Sequence, residues 1–185
     1  MKGVVFTEFL ELVETKFGIQ MVDDIIKSSN LESGGAYTAV GTYKFREMVS
    51  LLSELSKRTQ LSIDDLLYVY AQHFFTVIQV SYPGFLKTFS DPIEMLSSIE
   101  DHIHVEVLKI YPDAQLPTFK TLEKTENTLT LDYMSSRAMY SFGLGLMHET
   151  FNFFKIDCTI RLEKIKDDGT HVRFFIKGKN GNTRP

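Results

Sequence analysis

Tyr133, Ser135 and Arg137 stand at every second position of a stretch that reads as extended, and His104 precedes them on a segment that reads as helical. Successive side chains of a strand point to opposite faces, so residues at i, i+2 and i+4 share one face and can converge. Leu129 and Leu131 have the same parity, which makes that face otherwise apolar and turned inward. A guanidinium is not buried unpaired, and its planar fork matches a carboxylate through two parallel bonds. Arg137 could therefore clamp a carboxylate-bearing ligand, or pair with one of the chain's own 24 acidic residues. A neutral imidazole such as that of His104 can donate its lone pair to a metal.

The elements that must position these groups are helices first and strands second. Phe6, Phe9, Leu10, Val13 and Phe17 recur at helical spacing, predicting an amphipathic first helix that ends near Gly18. A short helix over Met21 to Ser28 follows, then a Gly34-Gly35 loop and a stripe of Phe45, Met48, Leu52 and Leu55. Ser62 reads as an N-cap for a helix with Leu67, Tyr70, Phe74 and Val77 along one side. After a turn at Tyr82-Pro83-Gly84, Asp91-Pro92-Ile93-Glu94 reads as a cap, a first-position proline and an acidic third position. The helix begun there is expected to run for about twenty residues and to carry both His102 and His104 on opposite flanks, since residues two apart are about 200° apart. Periodicity alone does not choose between those two histidines. Beyond Pro117 the period becomes two, and a hairpin of Phe119–Leu122 and Leu129–Tyr133, a helix through Tyr140, Leu144, Met147 and Phe151, and a second hairpin across Asp168-Gly169 complete the order.

In order and spacing along nearly the whole chain, these motifs resemble the H-NOX family, the haem nitric oxide/oxygen binding domains also found as the sensor part of soluble guanylate cyclases. The family's Tyr-x-Ser-x-Arg signature, which holds the haem propionates, stands here as Tyr133-Met134-Ser135-Ser136-Arg137. His104 matches the iron-binding histidine by its spacing to that signature and to Pro117, and the opening Met1-Lys2-Gly3 looks like the family's start. The resemblance implies an α+β domain spanning 1–185. A helical N-terminal subdomain (about 1–60) precedes a haem-ligating one (about 61–185) with a four-stranded antiparallel sheet and a helix, and haem b lies between them on His104. It also implies that Val5 and Pro117 press on the macrocycle.

The resemblance further locates the distal wall. Oxygen-binding members carry a tyrosine five residues beyond the signature arginine; here that position is Phe142, and the two others of the distal network look like Phe9 and Phe74. A hydrogen bond to a strongly polar acceptor is worth roughly 1.5–3 kcal/mol, or about one to two decades in affinity. Its absence implies a nitric oxide sensor, open also to carbon monoxide, that excludes oxygen. His73 and Tyr140 are the nearest alternative donors. Release of His104 from iron would carry the signal to a separate protein, a histidine kinase or a cyclic-di-GMP enzyme. Peroxidase chemistry needs a distal acid or base, which three phenylalanines cannot be, so no enzymatic activity is expected. The alternatives are an oxygen or redox sensor on the same fold and a haem-free interaction domain.

Composition narrows the classes independently. A 185-residue chain with 43% hydrophobic content can bury one sizeable core. Net charge of −4 and a pI near 5.7 leave no electrostatic reason for nucleic acid. The basic residues near the end, Lys164, Lys166, Arg173, Lys177, Lys179 and Arg184, read as a solvated strand and tail. Glu8 and Glu11 interrupt the first apolar positions and no run reaches membrane-spanning length, so a cytoplasmic protein without membrane contact is expected. Cys158 is the single cysteine, which rules out an internal disulfide and a cysteine-rich zinc site and reads as a small core residue.

Overall fold

The computed structural model describes residues 1–179; Arg184 of the basic tail lies outside them. Helix α1 (Gly3–Phe17) buries Phe6, Phe9, Leu12 and Val13 and stops at Gly18, whose φ of 85° suits glycine. Helix α2 (Ile19–Ser28) turns Val22 and Ile25 inward. The loop that follows is tied back to the start of the chain, with Gly3 N–H donating to the Gly41 carbonyl at 2.8 Å and the Met1 ammonium to the Tyr43 carbonyl at 2.6 Å. Its underside is held by Glu47, which is 2% exposed and accepts from the hydroxyls of Ser33 and Tyr37. Glu47 belongs to α3 (Phe45–Thr59), which closes the helical core with Met48, Leu51, Leu52 and Leu55.

Ser62 caps α4 (Ile63–Ser81) by accepting from the Asp65 amide, as its side chain and position predict. A single turn, α5 (Pro83–Leu86), leads to α6 (Pro92–Ser97), where Asp91 accepts from the Glu94 amide at 2.8 Å and the Glu94 carboxylate accepts from the Ser90 amide at 2.8 Å. The uninterrupted helix expected from this cap is not what forms. After Ser97 the backbone opens into a wide turn (Ile99–Ile103) whose hydrogen bonds span five residues, with Ile103 N–H donating to the Ser98 carbonyl and His104 N–H to that of Ile99. Only then does α7 (His104–Ile110) begin. The extra residue changes the angular offset between α6 and α7, so a stripe counted at a period of 3.6 cannot continue across it.

Strands β1 (Thr118–Lys124), β2 (Thr128–Met134), β3 (Cys158–Lys164) and β4 (His171–Gly178) form one antiparallel sheet in the order β1-β2-β4-β3, with α8 (Tyr140–Phe153) between the two hairpins in sequence. The fold is thus α+β with a four-stranded antiparallel sheet. Its core falls into clusters that meet at α8: Phe142 packs with the helices, Leu144 with the sheet residues Leu129, Leu131, Val172 and Phe174, and Leu146 with Phe75 and Leu86. Helices α4 and α8 cross closely at Gly145, where a Cβ would come within 2.5 Å of Ala71 Cβ and 2.8 Å of the Tyr68 carbonyl oxygen. Cys158 packs, half-buried, against the sheet cluster.

Candidate functional site

His104 is the first residue of α7, and its side chain is 13% exposed. Its Nδ1 lies 3.1 Å from Glu100 Oε1, one turn back across the wide turn. With Nδ1 donating to that carboxylate, Nε2 keeps its lone pair and has no hydrogen-bond partner among the described residues. Burial holds the imidazole's pKa below its ordinary value against the opposing pull of Glu100, which favours the neutral, metal-binding form. The ring sits 6.0 Å from that of Phe119, which in turn meets Tyr133 edge to face at 5.5 Å. His102 is separated from this environment: it stacks on Phe85 at 5.7 Å and meets the edge of Phe89 at 5.5 Å. The two histidines that periodicity could not distinguish are thereby told apart.

Tyr133, Ser135 and Arg137 do converge, but not as one strand face. Strand β2 ends at Met134, and Ser135–Arg137 form a turn that closes at Ala138 with φ of 50°. Ser135 Oγ accepts from the Arg137 amide at 3.2 Å, and the Tyr133 hydroxyl oxygen accepts from the Met139 amide at 2.9 Å, so the turn folds over the end of the strand. The Arg137 guanidinium donates to the carbonyl and to Oε1 of Gln115, at 2.9 and 2.8 Å, and lies 5.5 Å from the Phe45 ring centre. It lines a cleft of about 400 Å³ together with Lys2, Lys44 and Phe45. Lys2 is paired with Asp113 and Lys44 with Glu32, whereas Arg137 has no carboxylate partner among the described residues. A half-buried cation that meets only neutral oxygens is suited to a ligand's carboxylate.

Phe9 from α1, Phe74 from α4 and Phe142 from α8 are gathered around a residue whose role the sequence did not disclose. The ring of Tyr70 lies 5.4 Å from Phe9, 5.8 Å from Phe74 and 5.2 Å from Phe142. Tyr70 is fully buried, and its hydroxyl donates to the Val5 carbonyl at 2.6 Å. Of the other potential donors, Tyr140 O–H donates to Asp64 Oδ2 at 2.5 Å, whereas His73 Nε2 is buried 3.4 Å from Glu8 and has no hydrogen-bond partner among the described residues. Immediately after Phe142, Gly143 is buried, yet a Cβ built on it would meet nothing nearer than Phe119 Cζ at 3.9 Å. The α8 backbone at Gly143 thus faces the Phe119 ring, which His104 also meets, at no closer than van der Waals distance. Pro117, half-buried, leads directly into β1, and Val5 packs into the helical core near Tyr70.

Fold and site define a class: an α+β domain that offers an imidazole to a metal, an arginine clamp to carboxylates and an aromatic wall to a flat apolar group, the donor set of a haem. A sequence profile described as Haem-NO-binding matches residues 2–162, and the chain belongs to this family, the H-NOX domains. It is 62% identical to an H-NOX protein from K. algicida solved as the unliganded Fe(II) form, with 100% of each chain covered and a TM-score of 0.98. It is 34% identical to the IWP-051-bound H-NOX from Shewanella woodyi in the Fe(II)CO state, over 100% of this chain and 97% of that one, with a TM-score of 0.82. An H-NOX protein from S. oneidensis in the Fe(II)NO state, 22% identical over 97% of this chain and 100% of that one, shares the fold with a TM-score of 0.88. No curated protein sequence matches. The chain is accordingly a haem-binding gas-sensor domain rather than an enzyme, and no helix among the described residues is long and apolar enough to cross a membrane.

Proposed function

We propose that this domain binds haem b in one unit spanning 1–185, with a helical part to about residue 60, and reports nitric oxide while excluding oxygen. In this reading His104 is the protein ligand to iron, and Tyr133, Ser135 and Arg137 hold the propionates. Val5 and Pro117 bear on the macrocycle; Phe9, Phe74 and Phe142 cover the opposite face. Haem held by these residues would supply the gas-binding centre, with His104 as the protein group whose hold on the metal would respond to the gas.

The observation that supports this reading best is the disposition of hydroxyls around the aromatic wall. Discrimination against oxygen needs a site without a free hydrogen-bond donor at the distal face. Tyr70 places a hydroxyl inside the wall, but the Val5 carbonyl accepts its proton at 2.6 Å, and Tyr140 is held by Asp64. The rings of Phe9, Phe74 and Phe142 offer only carbon. The S. oneidensis and Shewanella woodyi proteins, in nitric oxide and carbon monoxide states respectively, support both gases as ligands.

His104 carries the signal because it begins α7, so a change at its imidazole is a change at a helix end. The receiver in this proposal is a separate signalling enzyme of the cytoplasm, a histidine kinase or a cyclic-di-GMP enzyme. The deciding experiment is the visible spectrum of the reduced, haem-loaded protein under argon, then air, then nitric oxide. The expected spectrum is unchanged by air and changed by nitric oxide. A stable ferrous oxygen complex in air, distinct from the ferric spectrum, would overturn oxygen exclusion; an apoprotein that takes up no haem would overturn the whole reading.

A further inference from the structure

We propose that Glu100 is a positioning residue that sets how firmly His104 holds iron and ties the ligand helix to the sheet; the inference rests on His104 being the iron ligand. One oxygen of this carboxylate serves two donors. Oε1 lies 3.1 Å from His104 Nδ1 and accepts from the Phe119 amide at 2.6 Å. The first contact fixes the tautomer and the ring plane, and a carboxylate on Nδ1–H makes Nε2 a stronger donor to a metal. The second explains why the arrangement is rigid. Strand β1 is the edge of the sheet, so the outward amide of Phe119 has no strand partner, and Glu100 takes its place.

Three parts of the site therefore share one atom. Glu100 lies in the wide turn, His104 begins α7, and Phe119 is the second residue of β1, two positions after Pro117, with its ring against both His104 and Tyr133. Because the Phe119 amide holds the carboxylate in place, Glu100 would keep the His104 imidazole in the same orientation whether or not it is ligating a metal. It also transmits a movement of the imidazole to the strand next to the propionate clamp.

Two variants separate charge from geometry. Glu100→Gln keeps the size and one acceptor oxygen but removes the charge; Glu100→Ala removes both. The first measurement is the iron–histidine stretching frequency of the ferrous, gas-free protein by resonance Raman, and the second is hydrogen exchange at the Phe119 amide in protein without haem. Expected are a lowered frequency in Glu100→Gln with exchange little altered, and in Glu100→Ala a further lowering with exchange about tenfold faster, the ratio for one lost hydrogen bond of ordinary strength. A frequency unchanged in both variants, with haem retained, overturns the proposal while leaving His104 as ligand. A wild-type protein with no iron–histidine band overturns the assignment of His104 and this inference with it.

Discussion

Phe142 illustrates how a single side chain can be read in both directions. Its ring closes the aromatic wall, 5.7 Å from Phe74, and supplies no donor. Phe142→Tyr should bring oxygen affinity up by about one to two decades, the worth of one hydrogen bond to a polarised acceptor; an oxygen titration of the ferrous variant checks this. If Arg137 holds a propionate as proposed, Arg137→Ala should speed haem loss to an excess scavenger protein by a similar factor, since its guanidinium meets Gln115 but no carboxylate among the described residues. At this scale the spacing of Tyr133, Ser135 and Arg137 was informative for the wrong local reason. The residues converge through a turn ending at Ala138, not along a strand, and nothing in the letters marks a left-handed alanine. Tyr70 and Glu100 were hidden differently. The partners of Tyr70 and of Glu100 at Phe119 are backbone groups on other elements, which sequence periodicity cannot register; only the i, i+4 relation of Glu100 to His104 was available as a signal.

Between elements, the close crossing of α4 and α8 is the most constrained contact. Gly145→Ala would set a methyl 2.5 Å from Ala71 Cβ, and because the Tyr68 carbonyl stands 2.8 Å away on the same side, the helices must part. Overpacking of this kind costs about 1–3 kcal/mol and should show as a lowered Tm in thermal unfolding. On the sheet, Asp132 of β2 receives Arg173 Nε at 2.6 Å and Nη2 at 3.0 Å, with His171 Nε2 also at 3.0 Å. Arg173 first, then His171, hold this carboxyl below its ordinary value of 3.8. A carboxylate whose folded pKa is depressed adds stability that is complete above its unfolded value and vanishes as pH falls through the folded one. Asp132→Asn should therefore unfold more easily than wild type at neutral pH, with the gap closing below about pH 4; denaturant midpoints across the acid range test it. Helix boundaries with chemical caps, Ser62 before α4 and Asp91-Pro92 before α6, were legible because the capping bond is local. The end of α6 was not, since the wide turn at Ile99–Ile103 carries no glycine or proline to announce it.

For the molecule as a whole, the order of helices, hairpin, helix and hairpin followed from changes of period and turn residues, while the joining of the two hairpins into one four-stranded antiparallel sheet came from the family resemblance. What the letters could not supply was the way the clusters meet on α8, with Gly143 facing the Phe119 ring of β1. A group that binds only the folded chain stabilises it by mass action, by about 2.7 kcal/mol when present at a hundred times its Kd. Removing haem should lower Tm, and the gap between loaded and empty protein should shrink in Arg137→Ala; differential scanning of both forms measures it. The wide turn before His104 has a further consequence. A helix that holds one more residue per turn than it needs contains a spare link, and a spare link can be taken out. Deleting Asp101 should let the segment rewind as ordinary α-helix with little change in direction, because four residues at about 100° each cover nearly the rotation that five cover in the wider coil. His104 should still face Phe119 in the shortened chain and haem uptake should survive, so the turn lets the backbone carry an additional residue without turning its histidine away.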